Sequence, residues 1–375
     1  MRVLPGSDRW RGFVFIPPQQ AHGWRFSCYS TVMTSIRARG CWAALAAAGL
    51  GLAAPVRGDY HLVGKIQVGG AGGWDYLEPD VVARRLYITH EDHVVVIDMD
   101  TLKVVGDVPD CPGMGGVALA PELNRGYTGN GDDDTVTVFA LDTLKAVGRW
   151  KATGKRPNQI IFEPATKRVF TFNSTGRNLT AFDAVSGAVA GTIEVDGRTE
   201  FPAFDGQGMI YDSLQDKATV IAIDARTLKV TATYPLAPHE QPAGTVMDPA
   251  TRRIFVACRS GSFLVLNADT GKILATFPIG PRNDAAKFDP SLKLAFASQG
   301  DGTLAVVREE SADRFTFVET VKTEFGARTM AVDPKTHRLF VPSADFGPEP
   351  AATKETPNPR RPLVEGTFRV LVFEP

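Results

Sequence analysis

A segment of the chain keeps coming back. HVVVIDMDTLKVVG, beginning at His93, returns as TVTVFALDTLKAVG, NLTAFDAVSGAVAG, TVIAIDARTLKVTA, SFLVLNADTGKILA and TLAVVREESADRFTF. Indexed on Asp98, the equivalent positions are Ala140, Asp183, Asp224, Asn267 and Arg308, at steps of 42, 43, 41, 43 and 41 residues. A second marker, at the end of the preceding apolar run, falls at Pro79, Pro121, Pro164, Gly206, Pro249, Pro290 and Pro334, with steps of 42, 43, 42, 43, 41 and 44. A fixed period sustained over most of a chain means that one supersecondary unit is packed on copies of itself.

Each unit holds four short apolar-rich runs separated by turn residues, as in NQIIFEP, KRVFTFN, NLTAFDA and AVAGTIEV. Their alternation and their β-branched and aromatic content make them strands, and none has the length or the 3.6-residue period of a helix. Four strands at this period make the blade of a propeller, whereas leucine-rich, ankyrin or TPR solenoids need shorter, helical or mixed units. The fold class expected is therefore all-β, a seven-bladed β-propeller of four antiparallel strands per blade, forming a single domain over residues 59–375. The seventh unit supplies ARTMAVDP, HRLFVPS and TFRVLVFEP and then ends one strand short. The run HLVGKIQV, residues 61–68, resembles the fourth strand of the other units and is expected to close the ring.

Charge and cysteine content narrow the function. Lys and Arg total 41 against 42 Asp and Glu, which removes the broad basic footprint of a duplex-binding protein, so no nucleic acid is expected as partner. Seven arginines and a single acid, Asp8, precede Asp59, so the chain from there onward is acidic, with 34 basic and 41 acidic residues. From Met33 a short basic stretch leads into the apolar run CWAALAAAGLGLAA, the pattern of a secretory signal peptide, over residues 33–58 with cleavage near Asp59. That run is too short to span a bilayer comfortably. Residues 1–32 read as translation from an upstream start, and the mature protein is expected to be periplasmic or secreted, monomeric and without a membrane span. Cys28 and Cys41 leave with the leader. Cys111 and Cys258 fall in distant blades and are expected as two free buried thiols, and no C-x-x-C-H for covalent haem is present.

In antiparallel blades the loop leading into each first strand and the loop between second and third strands emerge on one face, here called the top. The first-strand loops surround the axial channel and bring Trp74 and Asp75, Met114, Arg156 and Asn158, Glu200, His239 with Glu240 and Gln241, Arg282 with Asn283 and Asp284, and Arg328. A mouth lined by both signs of charge suits a small anionic or carbonyl ligand, with arginine as a bidentate donor. Asp75, Asn158, Glu200, His239, Arg282, Asp284 and Arg328 are the expected binding residues. If the chain is a hydrolase, His239 or Glu240 would be the base, Arg282 or Arg328 the oxyanion partner, and Glu200 or Asp75 the orienting acid.

Two second-to-third-strand loops hold admissible metal ligands, His90 with His93 in the first blade and Asp132 with Asp134 in the second. They occupy equivalent repeat positions and are expected side by side as a solvated acidic rim. An H-x-x-H in a loop lacks the helical spacing of metalloprotease motifs, so neither a metal nor any other cofactor is expected. The seventh blade carries an insertion, residues 344–366, rich in Pro and charge, where other blades have a short turn. Such a length points to a lid or a partner-binding loop at the channel mouth, or to local disorder. No phosphate-binding loop and no G-x-S-x-G is present.

The runs RRLYITHEDHVVVIDMDTLKVVGDV, RRIFVACRSGSFLVLNADTGKILATFPIG and KRVFTFNSTGRNLTAFDAVSGAVAGTIEV resemble the YVTN-type, or YncE-like, seven-bladed β-propellers, a family of bacterial exported proteins. The likeness covers residues 61–375, with YVTN written YITH at Tyr87. It implies an exported binding or interaction scaffold with its ligand or partner, a small molecule or a protein, on the top face. Related lactonase propellers imply a lactone hydrolase as the alternative. YVTN proteins that occur beside periplasmic quinoproteins and cytochromes imply a third role, as an accessory of such a system.

Overall fold

Four strands fold as a unit here because each turn is closed by a side chain at a fixed place. Asp98 Oδ1 accepts the backbone N–H groups of Asp100 and Thr101 at 3.1 and 2.6 Å, and Asp183, Asp224 and Asn267 do the same for the turns that follow them. The repeat marker is thus a turn cap between third and fourth strands, an Asx-turn that replaces backbone pairing at the bend. The turn between first and second strands is closed likewise by Asp80, Glu163, Asp205, Asp248, Asp289 and Asp333.

The structure, a computed structural model, describes residues 59–353 and 359–375. The expected leader and the segment before it lie outside the described residues. The described strands form seven antiparallel sheets of four, six of them sequential meanders. The first blade comprises Trp74–Asp80, Arg85–His90, His93–Asp98 and Lys103–Val108. The first strands of the next five are Met114–Ala120, Pro157–Glu163, Ala203–Phe204, Pro242–Asp248 and Asn283–Asp289. The seventh blade is assembled from both ends of the chain, Ala331–Asp333, Arg338–Ser343 and Arg369–Glu374 followed by His61–Gln67. His61 faces Glu374 and Gln67 faces Arg369, so the closing strand is the one expected. Tyr60 fixes its start, with its ring on Phe296 at 5.3 Å and its hydroxyl donating to His337 O at 3.1 Å.

The core lies between blades. Tyr127 and Val136 of the second blade pack with Phe162 and Phe182 of the third, and Phe255 and Phe263 of the fifth with Ala295 and Val307 of the sixth. The seven core clusters each join residues of adjacent blades. Second and third strands are therefore buried on both faces, whereas fourth strands alternate and leave residues such as Val105 and Val147 exposed. On the face opposite the top, the turn residue of one blade pairs with the turn acid of its neighbour: Arg84 with Asp333 at 2.7 Å, His337 with Asp289 at 2.8 Å and Lys293 with Asp248 at 2.6 Å. Cys111 and Cys258 are buried free thiols, and among the described residues no helix is long and apolar enough to cross a membrane.

Candidate functional site

Five of the seven first strands start with a register slip against their second strands. The slips fall between Trp74 and Leu77, Met114 and Val117, Pro157 and Gln159, Pro242 and Gly244, and Asn283 and Ala285. An extra residue in a strand is left unpaired and its side chain is re-aimed. Counting five residues back from Asp80, Ala120, Glu163, Asp205, Asp248, Asp289 and Asp333, the equivalent positions at the first turn of each blade, gives Asp75, Gly115, Asn158, Glu200, Ala243, Asp284 and Arg328. These seven equivalent positions form a ring at the top of the channel. Five of them are the polar residues expected from the sequence.

Asp284 is the hub. Its Oδ2 accepts from Arg328 Nε at 2.7 Å, its Oδ1 pairs with Arg259, and its backbone oxygen accepts from the Tyr76 hydroxyl at 2.7 Å. Arg328 also donates to Trp74 O at 3.2 Å and lies over the Trp74 ring at 5.7 Å. Across the ring, the Glu200 N–H donates to Asp212 Oδ1 at 3.3 Å, and Arg198 Nε stands 3.3 Å from Glu200 Oε1. Enclosure by protein, then the charge of Asp284, pushes the Asp75 carboxyl well above the usual carboxylate range, although part of its surface stays open to the channel. The same two causes push Glu200 up to about 7. Burial raises Asp212 too. The site thus sets the Arg259 and Arg328 guanidinium groups against carboxyls of which Asp75 and Glu200 are pushed toward their protonated forms.

Arg259, Tyr76, Asp212 and Phe201 belong to this site and were not expected there. Arg259 follows the second strand of the fifth blade, Arg253–Cys258, at a position that is Glu91, Gly131, Ser174, Gln215, Gly300 and Ala344 in the other blades. It is the single cation in that set, and its side chain turns inward to Asp284. Below the ring, Tyr76 of the first blade meets Phe201 of the fourth with ring centroids 4.5 Å apart. These blades face each other across the axis, so the aromatic pair plugs the channel.

Other expected residues stand apart. His239 Nδ1 lies 3.0 Å from Ser262 Oγ, Glu240 is exposed with its backbone tied to Ser260, and Arg282 lies over the Phe325 ring at 5.9 Å. Among the described residues none of the three side chains makes a hydrogen bond or ion pair with the ring, while the Arg282 N–H donates to Arg259 O at 3.2 Å. Asn158 is in it, its backbone oxygen so close to Gly115 that a Cβ there would lie at 1.8 Å. The insertion reaches the mouth from the seventh blade: Phe346 bridges to Leu363 and packs on Trp74 and Phe325 at 6.5 and 5.2 Å, and Gly366 N donates to Gly70 O at 2.8 Å.

Of the rim residues, His90 and His93 meet edge to face with ring centroids 5.1 Å apart. His90 is buried and stacked on Phe368 at 4.4 Å, and burial, then His93, lowers its pKa to about 4. His93 pairs with Asp92, Asp132 lies against Gly113, and Asp134 is taken by Lys155 at 2.6 Å and by the N–H of Arg156 at 2.9 Å. Among the described residues no group of three or more His, Cys, Asp or Glu side chains is placed to hold a metal ion.

No family model matches the chain, and no curated protein matches it. Among solved structures it is similar to a chain of the hydrazine synthase of Kuenenia stuttgartiensis, with a TM-score of 0.63 and 15% identity. The alignment covers 78% of this chain and 96% of that one. What the two share is the fold.

Proposed function

We propose that the chain is an exported binding scaffold of the YVTN type that takes a small anionic or carbonyl ligand at the ring of Asp75, Asn158, Glu200, Asp284 and Arg328. The observation that carries this reading is a concentration of buried polar atoms without a hydrogen-bond partner: Trp74 Nε1, Glu200 Oε1, Asp212 Oδ2 and Arg259 Nε all lie at this one end of the channel. Buried polar groups are nearly always paired, so orphans gathered at a concave site call for a partner from outside the chain. The Arg259 and Arg328 guanidinium groups supply the positive charge, and the insertion, resting on Trp74, forms the wall beside them. Export rests on the apolar run after Met33, and its check is a mature N-terminus near Asp59.

Titration calorimetry with acetate, lactate and γ-butyrolactone tests the site. At least one probe is expected to bind saturably, and Arg328→Ala and Arg259→Ala are each expected to weaken it about tenfold or more while leaving the circular dichroism unchanged, the cost of one hydrogen bond to a charged group. Failure of every probe with the parent protein, or unchanged affinity in both variants, sinks the reading. A lactone hydrolase is the second reading, favoured by the Glu200 carboxyl, which near pH 7 could act as a base beside two guanidinium groups that would hold an oxyanion. Turnover of the lactone that disappears in Glu200→Gln would select it.

A further inference from the structure

Beneath the Tyr76–Phe201 plug the channel opens into an axial cavity of about 180 Å³. Its walls come from the first strands of six blades and are largely apolar, among them Leu77, Val117, Ile160, Phe162, Val246 and Met247. With the plug above, access is from the face opposite the ring. The volume matches a single six-membered ring, since an engineered apolar cavity of roughly 150 Å³ binds benzene.

Five polar side chains interrupt the apolar wall: the Tyr76 hydroxyl is taken by Asp284 O and that of Thr245 by Ser213, Glu78 faces Lys287, and the two donors left to a ligand are Gln159 and Lys287. Gln159 is buried, and its Nε2 has no hydrogen-bond partner among the described residues. Its Oε1 is held against Gly116, where a Cβ would lie at 2.8 Å, so the amide nitrogen is the free end. Lys287 Nζ stands 4.6 Å from the Phe201 ring centroid and 3.6 Å from Glu78 Oε2, the latter longer than a hydrogen bond. An ammonium has three donors, so Lys287 can keep Glu78 as counter-ion and still serve a second acceptor. We propose that this cavity is a second ligand site, separate from the ring, for a one-ring apolar molecule bearing a carboxylate or carbonyl group, the ring in the apolar wall and the oxygen between Gln159 Nε2 and Lys287 Nζ.

Benzoate is the probe, with benzylamine and toluene as controls, read by titration calorimetry and by the shift of melting temperature. Benzoate is expected to bind and to stabilise the protein, toluene to bind more weakly, and benzylamine not to bind. Gln159→Leu and Lys287→Met should each weaken benzoate by about tenfold or more, the loss of one charge-assisted hydrogen bond. Arg328→Ala, which acts on the ring above, should leave benzoate affinity unchanged, so this site and the ring succeed or fail separately. The proposal is overturned if benzoate does not bind the parent, if benzylamine binds as tightly, if benzoate survives both cavity substitutions, or if Arg328→Ala abolishes its binding. Should Lys287→Met not fold, Gln159→Leu alone decides, because it removes no charge.

Discussion

Glu200 shows how one side chain makes the mouth respond to pH. Its folded pKa, about 7, lies above that of an exposed glutamate, so the fold disfavours the ionised form. The stability held by the protonated carboxyl is present at low pH and drains away as pH rises from the ordinary carboxylate range through 7. Glu200→Gln should therefore raise the melting temperature at pH 8, with an upper bound of roughly 3 kcal/mol from the shift, and change it little at pH 5. A thermal melt at both values checks the sign; equal effects at the two would remove Glu200 as the titrating group. The same ionisation sets the ligand preference. Above pH 7 a second carboxylate faces the two guanidinium groups, so affinity for acetate or lactate should fall between pH 6 and pH 8 in the parent protein and stay flat in Glu200→Gln. Asp75, Asn158, Glu200, Asp284 and Arg328 were legible in the sequence because repeat position alone puts them at the start of first strands. Arg259 was hidden because it arrives from a different loop, and only a column-by-column comparison of the blades exposes its charge. His239, Glu240 and Arg282 show the converse: nearness in sequence to a channel loop does not decide which way a side chain turns.

At the scale of the element, the strand His61–Gln67 does more than extend a sheet. Its pairing with Arg369–Glu374 joins the first and last units without a covalent bond, and removing it would take Ile66 out of the core it shares with Phe340, Phe368 and Val370 of the seventh blade. Deletion of residues 59–70 is expected to lower the melting temperature by on the order of 10 °C or more, since a domain this large loses about 2–4 °C per kcal/mol. An unchanged melt would mean that the ring holds without its closing strand. The existence of nearly every strand was readable from alternation and turn residues. The lengths of two were not. The first strand of the fourth blade keeps only Ala203–Phe204 and that of the seventh only Ala331–Asp333, because the residues above them leave the ladder to serve the ring. The insertion was readable as an extra loop, but its attachment was not: Phe346 and Leu363 gain their partners, Trp74 and Phe325, only when the first and seventh blades meet.

For the whole molecule, burial between blades makes the ring the unit of stability. No blade owns a core, and four of the turn acids reach a basic side chain of the next unit: Asp205 with Arg252, Asp248 with Lys293, Asp289 with His337 and Asp333 with Arg84. The period gave away this architecture because a sheet that cannot bury its own faces must stack on copies of itself. Function was less legible, since the channel is divided by a contact, Tyr76 on Phe201, between residues more than a hundred positions apart. That the closing strand comes first in the chain has a further consequence for biosynthesis. His61–Gln67 leaves the ribosome before any blade exists, and its partner Arg369–Glu374 follows only after the strands of the other six blades. Throughout that interval the earliest segment must wait unpaired, an open strand edge, so the ring cannot be completed one domain-like piece at a time.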